Sequence, residues 1–244
     1  MPLPGNVVIR FATTEDADRI VDFFLKYIGT TSAINRALKF EKEDSIDVYG
    51  PKIRSTIPDG LSVVAIDNFT KEILGCCVVS VWNRDPKKNR TPYTPKTRKS
   101  KLLYDVGDIL RNRFWNICPP NITRVARGDA ILVHPEVRRS YIGANMVATW
   151  GNDRFLEVNG LQGTVGVATS LANQRNSAKL GSIPVAYMDY KDFFVANGIP
   201  FEGAFTDGTT KAVLFFKPAA KYIDSFKEDI QAKVLEVKHE KAKL

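Results

Sequence analysis

The stretch Asp129 to Trp150, DAILVHPEVRRSYIGANMVATW, limits the possible folds of this chain more than any other. A short apolar run, Ala130 to Val133, stops at Pro135, and Ile142, Met146, Val147 and Trp150 then recur at helical spacing. Between them lies a basic turn holding Arg138, Arg139, Ser140 and Gly143. The stretch therefore reads as a buried strand, a turn and the opening of an amphipathic helix, the arrangement of an α/β fold. A helix N-terminus presents unpaired N–H groups and the positive end of the helix dipole, and arginines match phosphate oxygens in shape and charge. The expectation is an anion site, with Gly143 letting the backbone come close to the ligand. Neither GxxxxGK[ST] nor GxGxxG occurs, so the two commonest phosphate loops are excluded.

Outside this stretch the chain supplies a core of ordinary size. Its 244 residues, 44% of them hydrophobic, suit one large domain with an extension: a domain over residues 1–219 and a lysine-rich amphipathic helix over 220–244, with Ile223, Phe226, Ile230 and Val234 on one face. Met1 to Asn6 carries no signal pattern and no apolar run nears membrane-spanning length, so a soluble protein without membrane partners is expected. Three cysteines, Cys76, Cys77 and Cys118, show neither metal spacing nor a disulfide framework, which points to a reducing, cytoplasmic setting and no metal.

The net charge of +8 is concentrated rather than spread. Arg84 to Lys101 holds eight basic residues against the single acid Asp85, and so carries +7 of that total. With Pro86, Pro92 and Pro95 and no apolar period, it reads as a solvated, mobile loop dispensable for folding, in preference to a nucleic-acid arm.

In chain order, Val7–Phe11 reads as a strand and Ile20, Phe23, Phe24 and Tyr27 as the face of a helix; Ala33–Phe40 and Ser45–Ile57 read as helical pieces. Leu61–Ile66 and Ile73–Trp82 form a hairpin, Leu102–Cys118 a helix, and the helix opening at Gly143 runs to Asn159-Gly160. Thr164–Ala168 is a strand followed by a helix that Thr169-Ser170 can cap. Val185–Met188 and Val213–Phe216 are the last strands, joined by an irregular segment containing Phe193 and Phe194.

The residues Val133-His-Pro-Glu-Val-Arg138-Arg139-Ser140-Tyr141-Ile142-Gly143 resemble the acetyl-CoA motif V-x-P-x-x-R-x-x-G-x-G/A of the GNAT superfamily of N-acetyltransferases, with Tyr141 at the first glycine position. Within the superfamily the likeness is greatest to invertebrate arylalkylamine N-acetyltransferases. It is carried also by Phe23-Phe24-Leu25-Lys26 with Ser32 to Leu38, by Thr169 to Gly181, and by Tyr187 to Tyr190 with Phe215 to Ala219. The resemblance covers Val7 to Pro218 and implies a single-domain GNAT fold, a mixed central β-sheet flanked by helices. It further implies acetyl-CoA as cosubstrate and a small primary amine, an arylalkylamine, as acceptor. Leu132 or Val133 would offer a backbone N–H to the thioester carbonyl; Arg138, Arg139, Ser140, Tyr141, Ile142, Gly143 and Ala144 would wrap the pyrophosphate, and Asn173 would contact CoA.

Acetyl transfer to an amine needs a neutral nucleophile, donors for the oxyanion and a proton for the leaving thiolate. An alkylamine is neutral in roughly one molecule per thousand at pH 7, so a base or a desolvating site matters. Against the family's D-E-P-L segment, Thr31-Ser32-Ala33-Ile34 puts Ser32 where the glutamate base belongs; Asp129, Glu41 and Glu43 are the substitutes, and Asp129 lies on the cofactor strand. Ser177 stands at the superfamily's tyrosine acid, and Thr169 keeps a hydroxyl where the amine acetyltransferases have a serine. Two further readings stay open: an acyl-CoA binder without turnover, and a structural domain with a nucleic-acid arm. A serine hydrolase fits less well, since GxSxG is absent and only His134 and His239 are available; His134 reads as structural, and Cys76 and Cys77 as core.

Overall fold

A computed structural model describes residues 5–224 and 226 of the chain. Of the helix anticipated over residues 220–244, a short turn at Ala220–Tyr222 and the helical residues Ile223, Asp224 and buried Phe226 are described; the remainder lies outside the described residues. The sequence patterns become one 7-stranded sheet: β1 Val7–Phe11, β2 Val63–Asp67, β3 Ile73–Asn83, β4 Arg124–Val133, β5 Gly163–Ala168, β6 Ile183–Asp189 and β7 Lys211–Pro218, in the order β1-β2-β3-β4-β5-β7-β6. All neighbours are antiparallel except β4 and β5, which are parallel.

Helices cover both faces because alternate strand residues are apolar on both. On one face, α1 (Ala17–Thr31) and α3 (Lys42–Thr56) bury Ile20, Phe24, Val48 and Ile53 against Val64, Cys76, Val78 and Leu132. The same layer continues with α2 (Ala33–Ala37), α4 (Arg98–Ile117) and α8 (Tyr190–Ala196), where Val106, Leu110, Phe114 and Phe194 meet Val125, Leu214 and Phe216. On the other face, α5 (Ile142–Trp150) and α6 (Asp153–Val158) set Ile142, Met146, Trp150 and Leu156 on Val63, Ala65, Cys77 and Ala126. The remaining helix, α7 (Leu171–Lys179), follows β5.

Several expectations change. The helix expected to run from Gly143 to Asn159-Gly160 is two helices, because Gly151 closes α5 on Val147 O (2.9 Å) and Asn152 caps α6 by accepting from Phe155 N (2.9 Å). The segment around Phe193 and Phe194, read as irregular, is α8, started by Asp189 accepting from Lys191 N (2.8 Å). Strand β4 begins at Arg124, six residues before its apolar run, since Arg124, Arg127 and Asp129 interrupt the pattern that marks a strand.

The basic segment is not a mobile loop. Arg84 donates to the carbonyls of Trp115 (2.8 Å), Cys118 (2.8 Å), Pro119 (2.6 Å) and Ile122 (3.0 Å), which are the last carbonyls of α4 and the chain beyond it. Asp47 on α3 accepts from Lys96 N (2.8 Å), Thr97 N (3.0 Å) and the Tyr93 hydroxyl. Burial tends to raise the Asp47 pKa, but these hydrogen bonds outweigh it and hold the carboxyl below its usual range. Thr97 caps α4, so Arg98 to Lys101 are helical, and Lys99 pairs with Glu41 (2.9 Å). The order comes from carbonyls and acids distant in the chain, which no local periodicity reveals.

A second carboxylate ties the sheet edge to α1. Asp16 receives both guanidinium nitrogens of Arg10 (2.7 and 2.8 Å) and Thr13 N (2.9 Å). Arg10, against the effect of burial and with help from Thr13, brings its pKa down to about 2. A lowered folded-state pKa means stability that is present above about pH 4 and lost as pH falls toward 2. Asp16→Asn should therefore cost about 2 kcal/mol at pH 7 and remove part of the acid sensitivity between pH 4 and 2, as urea titrations across pH will report. Asp47→Ala, which strands three donors, should lower stability by about 1 to 3 kcal/mol, whereas a mobile segment predicts no change.

Candidate functional site

The parallel strands β4 and β5 pair only at Ala126↔Thr164, Arg127↔Val165 and Gly128↔Gly166. Beyond these facing glycines β4 continues to Val133 and β5 to Ala168, so the sheet opens between them. A bulge sets the angle: Val79 pairs with Gly128 and Val78 with Ala130, leaving Asp129 as the extra residue. His134 N donates to Leu74 O (2.8 Å), and with Cys76 opposite Leu132 the antiparallel alternation turns the N–H of Leu132 toward β3. The N–H groups of Ile131 and Val133 consequently point to the β5 side, past the last β4–β5 pair. Of the two donors anticipated, Val133 faces the opening and Leu132 does not.

The turn after β4 prolongs that donor row. His134 Nε2 lies 2.8 Å from the Tyr27 hydroxyl of α1, and its Nδ1 accepts from Glu136 N (3.3 Å), which makes the ring a fixed part of the strand end. Arg138 and Arg139 are exposed, and Ser140 donates to Val137 O. The first bond within α5 runs from Asn145 N to Tyr141 O (2.9 Å), and no side chain caps the helix, so the N–H groups of Ile142, Gly143 and Ala144 are available. Tyr141 has φ 62°, the left-handed conformation glycine adopts without strain, and the residue is 52% exposed. The tyrosine thus keeps the backbone shape of a glycine at a cost of about 1 to 2 kcal/mol. At Gly143 a Cβ would stand 3.4 Å from Val133 Cγ2, an ordinary contact, so packing alone does not require glycine there.

The opposite lip is β5 and α7. Ser170, not Thr169, caps α7 by accepting from Asn173 N (3.3 Å). The Thr169 carbonyl accepts from Tyr190 (3.0 Å), while its hydroxyl makes no hydrogen bond among the described residues. Asn173 and Ser177, one turn apart, are half-buried on a helix with no fully buried residue. Ser32 lies at the α1–α2 junction, where its hydroxyl caps α2 by accepting from Asn35 N (3.3 Å). Glu41 caps α3 and pairs with Lys99, and Glu43 is exposed in the first turn of α3. The structure therefore brings Asp129 and Val133 to the opening, places Thr169, Asn173 and Ser177 on its far lip, and gives Ser32 a capping role.

On the α4 side of the bulge lies a charged cluster that the sequence did not announce. The Asp129 side chain is 5% exposed, and its Oδ1 lies 2.9 Å from Arg127 Nε. Arg127 rests over Trp82 (5.7 Å), and Arg111 rests over Tyr104 (5.6 Å) while pairing with Asp108 (2.6 Å). Burial pushes the half-buried Lys52 of α3 down to about 8; Asp129 opposes that fall, and Arg111 and Arg127 add to it. Burial likewise raises Tyr104, with Asp108 adding to the rise. Two signals were present: Arg127-Gly128-Asp129 inside a strand, and Tyr104, Asp108, Arg111 and Trp115 along one stripe of α4.

No family model matches this sequence, and no curated protein matches it. Solved structures share its fold. A protein provisionally named arylalkylamine N-acetyltransferase 7, from the yellow fever mosquito Aedes aegypti, superposes with a TM-score of 0.73 at 13% identity over 87% of each chain. Arylalkylamine N-acetyltransferase 2 from Aedes aegypti gives 0.66 at 16% identity, over 88% of this chain and 100% of that one. The C-terminal condensation domain of Ebony, in complex with β-alanyl-dopamine, gives 0.69 at 14% identity over 89% and 100%.

The left-handed turn yields a stability test. Tyr141→Val, a branched side chain at positive φ, should lower unfolding free energy by about 1 to 2 kcal/mol, while Tyr141→Gly should not lower it. Equal effects in denaturant titrations would mean that the turn is not held left-handed.

Proposed function

We propose that this chain, which has the GNAT fold, is an acetyl-CoA-dependent N-acetyltransferase acting on a small primary amine of the arylalkylamine class. One observation carries the reading: a bulged strand with unladdered N–H groups leads directly into an uncapped, arginine-flanked helix N-terminus. The donors suit CoA. Ile131 would bind a pantetheine amide; Arg138, Arg139 and the N–H groups of Ile142, Gly143 and Ala144 would bind the pyrophosphate; Asn173 would contact the cofactor from α7.

Acetyl-CoA supplies an activated thioester carbonyl. The Val133 N–H, fixed by the strand, is the donor for the developing oxyanion, and one such donor is typically worth about 10² to 10³ in rate. Asp129, with Oδ2 unused, receives the ammonium and accepts its proton, a role typically worth about 10² to 10⁴. Thr169 and Ser177 are the hydroxyls on the far lip from which a proton can return to the thiolate. Ser32, occupied as a cap, orders α2 rather than moving a proton. The buried thiols of Cys76, Cys77 and Cys118 are consistent with work in a reducing cytoplasm, and among the described residues no helix is long and apolar enough to cross a membrane. Nor do the described residues contain a cluster suited to a metal ion.

A second reading, an acyl-CoA binder without turnover, draws on the Arg127–Asp129 ion pair, which occupies one oxygen of the carboxylate. Calorimetry and steady-state assays separate the two. Arg138→Ala should weaken acetyl-CoA binding by about 1 to 3 kcal/mol. Asp129→Asn should leave binding intact and slow transfer to tryptamine or dopamine about 10²-fold or more. Binding without transfer in the wild type selects the second reading, and absence of acetyl-CoA binding rejects both.

A further inference from the structure

Resting on the acyltransferase reading, we propose that the arylalkylamine acceptor also bears an α-carboxylate: Asp129 receives the ammonium, and Arg127 with Arg111 receives the carboxylate. Three buried atoms of the cluster have no hydrogen-bond partner, Asp129 Oδ2, Ser80 Oγ and Trp115 Nε1, while Arg127 Nε is ion-paired with Asp129 Oδ1 at 2.9 Å. Buried polar atoms left in that state are destabilising, so three together call for a ligand. They share one region: Ser80 is directly opposite Arg127 in the β3–β4 register, and Trp115 packs on Trp82 (4.9 Å), which lies under the Arg127 guanidinium.

The chemistry of these atoms selects the ligand. Trp115 Nε1 and the terminal guanidinium nitrogens of Arg127 only donate, Ser80 Oγ can donate, and Asp129 Oδ2 only accepts when ionised. A bare amine would satisfy Asp129 and leave the donors unmet. A molecule with one ammonium and two carboxylate oxygens satisfies both kinds. Charge agrees with this, since Lys52, Arg111 and Arg127 outnumber Asp108 and Asp129 by one cation. The lowering of Lys52 to about 8, caused by burial and reinforced by both arginines against the pull of Asp129, marks a place already crowded with positive charge.

Arg111 is seated for such a role. A Cβ on Gly107 would come within 2.5 Å of Arg111 Nη1, so the guanidinium occupies the space that any side chain at 107 would take. Glycine inside a helix is less favourable than alanine, and here the vacated space is the seat of a cation.

The test uses matched pairs, tryptophan against tryptamine and tyrosine against tyramine, titrated calorimetrically into the full chain with CoA present and assayed for acetylation. Each amino acid should bind about tenfold or more tightly than its decarboxylated partner. Arg111→Gln and Gly107→Ala should each collapse that ratio toward one, with acetyl-CoA affinity and melting temperature as controls of an intact fold. Equal or tighter binding of the amines, binding of neither, or an unchanged ratio in both variants would overturn the proposal. A tenfold preference without acetyl transfer would uphold the pocket assignment and reject the enzymatic reading, so the two fail separately.

Discussion

Everything distinctive about this molecule follows from the parting of two parallel strands. Had β4 and β5 stayed paired beyond Gly128 and Gly166, the backbone N–H groups of Ile131 and Val133 would be spent on a ladder. Parting leaves them oriented by β3 yet unclaimed, at a spacing fixed by the strand rather than by any side chain. The bulge at Asp129 changes which face the following residues present and puts a carboxylate at the apex of the opening. The α5 N-terminus then extends the same row of donors outward through the turn at Tyr141.

The two faces of the sheet divide the work. On the α5 side the surface is mostly backbone donors and exposed arginines, suited to a long polar ligand. On the α4 side it is a half-buried group of side chains, rich in charge and indole rings, with unused atoms at its floor. Asp129 belongs to the second group by its side chain and to the first by its strand. Arg84 and Asp47 matter indirectly: by fastening the segment after β3 to the end of α4 and to α3, they hold the elements from which Lys52, Tyr104 and Arg111 project.

Much of the frame was legible in the sequence, because hairpin, strand and helix patterns depend on local periodicity. The β2–β3 hairpin, the turn after Val133 and the helix after Ser170 all fall where alternation, proline and capping residues put them. What escaped depended on partners distant in the chain. Arg124 to Asp129 looks unlike a strand until β3 pairs with it, and residues 84–97 look disordered until Asp47 and the end of α4 are beside them. Tyr141 illustrates a different limit: residue identity departs from the motif while the backbone keeps φ 62°. The charged cluster drew on α3, α4 and β4, so no single stretch could show it, although Asp129 was visible as an acid on the critical strand.

The central claim is that specific backbone amides, rather than side chains, receive the cofactor. Amide hydrogen exchange resolved to single residues, with and without acetyl-CoA, tests it most directly. The account predicts new protection at Ile131, Val133, Ile142, Gly143 and Ala144, with Leu132, already bonded to β3, unaffected. Protection confined to other regions, or equal protection of Leu132 and Val133, would contradict it.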